Sequence, residues 1–547
     1  MIASTMQTGE LTIARLVEYS RKTFPEAGVT TWTGTELRPM SYAELGDRSA
    51  QLAHALAKLG IGRGDRVATF MWNNNEHQIA YGAVPAMGAV LHTLNLRLSP
   101  EQAVFIINHA EDKVILVDAS IAPMLAQYVK ATPKVEHVIV TNGPADAFEA
   151  PDGIAVHAFD DLIKGESTTY EWPEIDEKDA AVMCYTSGTT GDPKGVVYSH
   201  RSIWLHSMQV NSTSGMALGN SDSVLAIVPM FHVMSWGLPF AAMMNGMTLV
   251  MPDRFLQPEP LLAIMAAAKP TFAAAVPTIW QGVAAQLAAA PQDISHLREV
   301  VVGGAAVPPS MIKQFDEFGT RIVHAWGMTE TSPLGTVARP PFGVDDEEKI
   351  FAYRVTQGRF PASVDARIMD DEGKELPWDG EAFGELQVRG PWITGAYYSP
   401  DGPAVDPDKF VDGWLRTGDV ASITPDGFMT IVDRTKDLIK TGGEWISSVE
   451  LENTIMANPA VTEAAVVAVP DDKWDERPFV LAVVGNEADA DPAKLRAHLA
   501  ESVPRWQLPE RWAFVTEVPK TSVGKFDKKR IRAEYADGAY DVVEIRD

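Results

Sequence analysis

The sequence predicts an α/β protein: a large N-terminal body of parallel α/β subdomains with a small barrel-like unit, followed by a small α+β C-terminal domain. Three observations carry this. Short β-branched runs alternate with longer helical patterns through most of the chain. Those runs are apolar without alternation, as expected of sheets covered on both faces. Beyond about residue 355 the texture shifts to short strands broken by turn residues.

Taken in order, RVATFMW (66–72) is a strand run followed by helical NEHQIAYGAVPAMGAV, and VILVD (114–118) leads into helical ASIAPMLAQYVKA. HVIVT, SVLAIVP, TLVMP, FAAAVP and EVVVGG repeat the strand pattern, each set off by a helical stretch. In the uncharged tract from Pro270 to Ala290, Pro277, Gln281 and Gly282 break the apolar run. It reads as strand, turn and helix, not as a membrane span. The segment DARIMDDEGKELPWDGEAFGELQVRGPWITGAYY holds the turn runs DDEG and WDG, so a small β-rich, antiparallel or barrel-like subdomain is expected over about 356–432. A boundary near DGFMTIVDRTKDLIKTGGEW gives a body of 1–433 and a C-terminal domain of 434–547. There SSVELENTIMANP predicts a helix, with Ser447 and Glu450 in capping-box spacing and Pro459 beyond its end. Strand-like AAVVAV, FVLAVV and WAFV and helical DPAKLRAHLAESV complete the unit.

At 547 residues the chain is too long for one ordinary core. A hydrophobic share of 46% with 22% charged residues is that of a globular protein in water. With 46 Lys+Arg against 73 Asp+Glu, the net charge of -27 argues against a nucleic-acid partner, which would require a basic face. The single cysteine, Cys184, can make neither an internal disulfide nor a cysteine-based zinc site; its apolar surroundings predict a small buried core residue. The N-terminus lacks a basic start followed by an apolar stretch, so a cytoplasmic protein with no integral membrane segment is expected.

One loop asks for a ligand. In YTSGTTGDPKG (185–195), Thr186, Ser187, Gly188, Thr189, Thr190 and Lys194 crowd hydroxyls, a flexible backbone and a cation together. Glycine lets backbone N–H groups approach an anion, hydroxyls donate hydrogen bonds, and lysine adds charge, which suits a phosphate. A P-loop NTPase is disfavoured: that motif needs Gly-Lys-Ser/Thr opening a helix, whereas here Pro193-Lys194-Gly195 runs into strand-like VVY.

Together with AWGMTET (325–331), GELQVRG (384–390), RTGD (416–419), DRTKDLIKTGGEWIS (433–447) and PKTSVGKFDKK (519–529), this loop resembles the motif set of the adenylate-forming superfamily. That superfamily comprises acyl-CoA synthetases, peptide-synthetase adenylation domains and beetle luciferases, and the resemblance spans essentially the whole chain. KTGGEWISSVELE and PMFHVMSWGLPF are most similar to medium- and long-chain fatty acyl-CoA synthetases.

The resemblance implies an AMP-forming acid–thiol ligase using ATP, Mg²⁺ and CoA as co-substrate. It implies that the Thr186–Lys194 loop holds the β- and γ-phosphates, with Thr186 and Glu330 at the magnesium. Trp326 then stands where the family stacks an aromatic on adenine, Thr329 bonds the α-phosphate, and Gly304 borders the nucleotide. Asp419 accepts the ribose hydroxyls with help from Arg434. Lys525 bridges carboxylate and α-phosphate during adenylation. The C-terminal domain becomes a mobile lid hinged at Lys436, whose rotation brings Lys440 to the adenylate and Gly442, Gly443 and Trp445 to the CoA tunnel. His232, Val233 and Trp236 border the acyl pocket, Trp236 as its gate. VGGAA (302–306) and SPLG (332–335) give that pocket small apolar walls, which suit an alkyl chain at about 0.8 kcal/mol per buried methylene. Family analogy also allows a homodimer. Competing readings are a fatty acyl-AMP ligase, an aryl or short-chain (including thioether) acid CoA ligase, and an inactive nucleotide- or lipid-binding relative.

Overall fold

The computed structural model describes residues 2, 4–186, 192–442, 444–486, 488, 491–521 and 525–545. The apolar runs are strands, among them Arg66–Phe70, Val114–Asp118, His137–Thr141, Ser223–Ala226, Thr248–Met251, Phe272–Ala275 and Glu299–Gly303. The tract from Pro270 to Ala290 resolves into strand Phe272–Ala275 and helix Pro277–Ala289, with proline at the first turn where its missing N–H is harmless.

Two sheets build the body. One runs in spatial order 155–158, 137–141, 114–118, 66–70, 90–93, 180–185, 195–199. Its strands are parallel until the last pair, where Ala180–Tyr185 and Gly195–Ser199 are antiparallel with Tyr185 opposite Gly195. The Gly/Thr loop therefore joins two antiparallel neighbours and does not open a helix. The second sheet has a parallel stretch in the order 28–32, 248–251, 223–226, 272–275, 299–303, 321–327. It continues in antiparallel pairing through 334–337, 358–359, 428–434, 414–423, 383–389 and 365–369, so the β-rich segment after residue 356 extends the same ladder.

Helix Asn75–Ala86 touches strands of both sheets and every one of its residues is buried, which explains why its sequence lacks a polar face. Burial of Ile79 and Val84 alone contributes about 1.5–3 kcal/mol each. Cys184 lies in this core, its thiol pushed up to about 11 by burial.

The C-terminal part forms its own sheet from 439–441, 444–446, 461–471, 475–484, 511–514 and 543–544, around Leu451, Val466, Val480, Leu495 and Trp512. Helix Ser448–Met456 starts as its sequence dictates, with Ser447 Oγ accepting the Glu450 N–H at 3.0 Å. The same helix start ties this sheet to the body: Ser448 donates both its N–H and its hydroxyl to Asp433 Oδ2, each at 2.6 Å. A second contact is the Gln281 Nε2–H donated to the Thr462 carbonyl at 2.7 Å. No described helix is long and apolar enough to cross a membrane.

Candidate active site

A cavity of about 800 Å³ opens at the carboxyl ends of strands Glu299–Gly303 and Arg321–Gly327, and the C-terminal unit covers it. Ligands of open α/β sheets bind at such strand ends.

At one end Trp326 and Arg434 converge on Asp419. The Trp326 Nε1–H donates to Oδ2 at 2.8 Å and Arg434 Nε meets Oδ1 at 2.9 Å. Asp419 is held in place by its strand, Trp414–Ile423, whose partner Phe428–Arg434 puts Arg434 directly opposite it. Each carboxylate oxygen keeps acceptor capacity for a further O–H donor.

Next to it, Thr329–Thr331 form one 3-10 turn pinned by Tyr198 of strand Gly195–Ser199 and by Tyr397 of the loop after strand Phe383–Arg389. The Tyr198 hydroxyl donates to the Thr329 carbonyl at 2.7 Å, and the Tyr397 hydroxyl donates to Glu330 Oε1 at 2.7 Å. Thr186 and Lys194 clasp each other across the Gly/Thr loop: each backbone N–H reaches the other residue, Thr186 N–H to the Lys194 carbonyl and Lys194 N–H to Thr186 Oγ1, both at 3.0 Å. The Lys194 ammonium pairs with Asp406 at 2.9 Å and lies 4.8 Å from the Tyr397 ring centre. That cation draws the Asp406 carboxyl below its ordinary value.

Lys525 enters from the lid. Its backbone is clipped to Thr521, which donates its N–H to the Lys525 carbonyl at 2.7 Å. Its Cε lies 3.7 Å from where a Cβ on Gly304 would stand. Loss of solvent pushes its ammonium down to about 8; Arg434 adds to the fall, and Asp419 and Glu330 oppose it. His232 is pushed down to about 3 by burial and then by Lys525, so it meets any ligand as a neutral imidazole.

The apolar end is lined by Val233, Trp236, Met216, Leu334 and Gly303. Val233, Met234, Ser235 and Trp236 all have positive φ (40°, 59°, 49° and 57°), a left-handed turn of four non-glycine residues. This turn swings the Trp236 indole to 3.4 Å from the place of a Gly303 Cβ. Gly303 itself cannot carry one, because the Ala325 carbonyl would stand 2.7 Å away.

The description AMP-binding enzyme matches residues 17–398, and that of the C-terminal domain of such enzymes matches 450–525. The chain belongs to the AMP-binding enzyme family. It is 42% identical over 538 residues to the medium-chain-fatty-acid–CoA ligase of Ectopseudomonas oleovorans, covering 97% of each chain. It is 41% identical over 542 residues to the 3-methylmercaptopropionyl-CoA ligase of Ruegeria lacuscaerulensis, covering 97% of this chain and 98% of the other. Its fold matches the crystal structure of the anthranilate CoA ligase AuaEII in complex with anthranoyl-AMP, with a TM-score of 0.86 and 25% identity over 98% of this chain and 100% of that one.

In this AMP-binding enzyme the cavity gathers Thr186, Lys194, His232, Val233, Trp236, Gly304, Trp326, Thr329, Glu330, Arg434, Lys436 and Lys525, and Asp419 through its bonds to Trp326 and Arg434. Lys440, Gly442 and Trp445 are not among its walls. They sit on the lid hairpin 439–446, where the Lys440 ammonium lies 4.5 Å from the Trp445 ring centre and Gly442 packs under Trp474. Ser187, Gly188, Thr189, Thr190 and Gly443 lie outside the described residues.

The sequence reading missed several neighbours. Lys409 lines the cavity and donates to the Thr417 carbonyl at 3.3 Å; burial lowers its ammonium while Glu330 and Asp419 act against that. Its one sequence mark is its place seven residues ahead of the RTGD run. Tyr397, Asp406 and His109 carry no mark, because strand pairing and loop packing bring them in from distant parts of the chain.

Among the described residues no group of three or more His, Cys, Asp or Glu side chains could hold a metal ion. The buried Glu330 carboxylate in the cavity wall fits Mg²⁺, which takes one or two protein oxygens and fills its shell with phosphate oxygens and water.

Proposed function

We propose that this enzyme activates a medium- to long-chain fatty acid with ATP, releasing pyrophosphate, and then passes the acyl group to CoA, releasing AMP. The observation that carries the reading is one continuous cavity. It runs from the Trp326–Asp419–Arg434 corner to the apolar Trp236 end, with the Lys525 ammonium in its wall.

In the first step a carboxylate oxygen attacks the α-phosphorus and the bond to the β-phosphate oxygen breaks. Both reactants are anions, so neutralisation and alignment are the main tasks. Asp419 takes the ribose hydroxyls and Trp326 borders the base. Thr329 bonds the α-phosphate, and the Thr186–Lys194 loop receives the outer phosphates. Glu330 and Thr186 would hold Mg²⁺, which supplies charge neutralisation on the phosphates. The Lys525 ammonium stands between the carboxylate and α-phosphate. Neutral His232 steers the acid without trapping its carboxylate in an ion pair.

In the second step the CoA sulfur attacks the acyl carbonyl, the carbonyl carbon–phosphate oxygen bond breaks, and AMP leaves. Lys525 occupies the approach, so the lid turns about Lys436 and presents Lys440, Gly442, Gly443 and Trp445. This turn breaks the Asp433–Ser448 contact that holds the present pose.

The apolar end supports an alkyl tail, and the relative named for medium-chain fatty acids supports the acid class. A cytoplasmic location belongs to the same reading, and cell fractionation checks it. The deciding experiment is AMP release over acids from acetate to palmitate, plus benzoate and 3-methylmercaptopropionate, with and without CoA. The reading predicts CoA-dependent turnover that peaks on a fatty acid. Adenylate without thioester would make it an acyl-AMP ligase, and a peak on benzoate or the thioether acid would replace the substrate class. No acid-dependent ATP–pyrophosphate exchange with any of them would leave a binding protein.

A further inference from the structure

His109 sits in the last turn of the helix Pro100–Ala110 and belongs to none of the motifs, yet it lines the cavity. Its imidazole is wedged in an aromatic slot. Phe105 stacks on one face at 5.3 Å and 15°, and Tyr398 meets it edge-on at 5.4 Å and 88°. Nδ1 lies 2.7 Å from the Tyr185 hydroxyl.

The slot is anchored to both ends of the Gly/Thr loop. Tyr185 directly precedes Thr186, and the Tyr398 N–H donates to the Gly195 carbonyl at 2.8 Å. Packing there is tight: a Cβ on Gly195 would lie 3.1 Å from both Tyr185 Cζ and Tyr398 Cβ. The imidazole is therefore fixed relative to the loop and not to the ribose corner.

The hydrogen-bond geometry selects a tautomer. Tyr185 is buried and, among the described residues, its hydroxyl has His109 Nδ1 as its one hydrogen-bond partner. If Nδ1 carried the proton, the buried O–H would have no acceptor, an arrangement that costs more than the alternative. The hydroxyl thus donates to Nδ1 and the proton sits on Nε2, for which no described residue provides a partner. Burial, and then the neighbouring His92, lower the His109 basicity and keep it neutral.

We propose that His109 is a substrate-contacting residue at the polyphosphate end of the cavity, its Nε2–H donating to an oxygen of the departing pyrophosphate. This rests on the ligase reading above. When the bond to the β-phosphate breaks, charge accumulates on that group, and a fixed N–H donor gains strength as it does. A neutral donor also releases pyrophosphate more readily than a further ammonium beside Lys194 would. The recognised chemistry is a terminal phosphate oxygen, with no base or acyl group involved.

The test is acid-dependent ATP–pyrophosphate exchange with inorganic pyrophosphate varied, in the full chain. His109→Phe keeps a ring in the slot and removes the donor; the KM for pyrophosphate should rise about tenfold, the scale of one hydrogen bond to a charged acceptor. The KM for the acid and thioester formation from supplied acyl-AMP should stay within twofold. His109→Gln, whose amide N–H reaches the place of Nε2, should restore most of the pyrophosphate affinity. Tyr185→Phe, which frees the tautomer, should give a smaller rise, and it reads the same contact if His109→Phe fails to fold. An unchanged pyrophosphate KM in both His109→Phe and Tyr185→Phe, or an equal loss in Gln and Phe, overturns the role of His109. Absence of exchange in the unmodified enzyme would instead sink the ligase reading on which the role rests.

Discussion

The indole N–H of Trp326 donates to Asp419 Oδ2 at 2.8 Å, while Arg434 holds Oδ1 of the same carboxylate at 2.9 Å. Two donors from opposite sides fix the plane of the carboxylate and leave each oxygen one direction for a ribose hydroxyl. On the proposed reading the tryptophan would thus be more than a face for adenine; it would also position the carboxylate that takes the ribose.

Trp326→Phe tests that second role, since it keeps an aromatic face and removes only the donor. The KM for ATP should rise about fivefold, near 1 kcal/mol for one hydrogen bond. The KM for the acid should hold. Equal ATP affinity in the two proteins would mean that Arg434 alone orients Asp419.

If Lys525 serves adenylation as proposed, it should make the step pH-dependent in a defined direction. Its ammonium is pushed down to about 8, chiefly by burial, and only the protonated form bears the needed charge. Below about pH 8 the free enzyme carries the cation; above it the cation is lost. The kcat/KM for adenylation, which reports the free enzyme, should therefore fall on the alkaline side with a midpoint near that value. Lys525→Arg, with a group that stays charged beyond about pH 12, should remove the limb even if its absolute rate is low. A wild-type profile flat to pH 9.5 would contradict the assignment.

The two lysines of the lid should separate the half-reactions. Lys525 is in the cavity wall and Lys440 is not. Lys525→Ala should slow adenylation by about 10²–10³, the usual cost of one lost electrostatic stabiliser. It should leave conversion of supplied acyl-AMP to thioester within a few-fold. Lys440→Ala should do the reverse, sparing pyrophosphate exchange and slowing thioester formation. Equal loss of both steps in either variant would rule out a lid that alternates between two poses.

How far the sequence reached follows from where each residue lies along the chain. Trp326, Thr329 and Glu330 are legible because they stand within five residues of one another, on a strand end and the turn that follows. The helix capped by Ser447 was legible because capping chemistry is local. His109 and Tyr397 were not, since each reaches the cavity through long-range contacts that no local pattern encodes, and Lys409 had only its distance from the RTGD run to mark it. The left-handed turn was hidden for another reason: Val, Met, Ser and Trp all disfavour positive φ, so no composition cue marks it. Only the surrounding core can impose it.

That imposed strain is measurable at Ser235 (φ 49°, ψ 44°), whose hydroxyl donates to the Val228 carbonyl at 2.6 Å. Glycine and alanine both delete this bond, but only glycine tolerates the left-handed backbone at no steric cost. Ser235→Gly should be about 1–2 kcal/mol more stable than Ser235→Ala, the per-residue penalty of the left-handed conformation. Chemical denaturation compares them directly. The ordinary order, with alanine ahead of glycine, would show that the turn is unstrained.

Strain at functional sites is kept where the surrounding structure over-determines it, and here it aims Trp236 across the apolar end of the cavity. Its indole lies over Gly303 at the apolar end of the cavity, so on the proposed reading an alkyl tail would have to displace it. Trp236→Ala should then leave the KM for ATP near its original value and change that for the acid, lowering it for longer chains. It should also weaken any dependence of acid binding on prior ATP binding, read by titrating acid with and without a non-hydrolysable ATP analogue. If acid affinity and its ATP dependence both stay as in the unmodified enzyme, the indole is a fixed wall, and chain-length preference must be sought at Met216 and Leu334 in the same cavity.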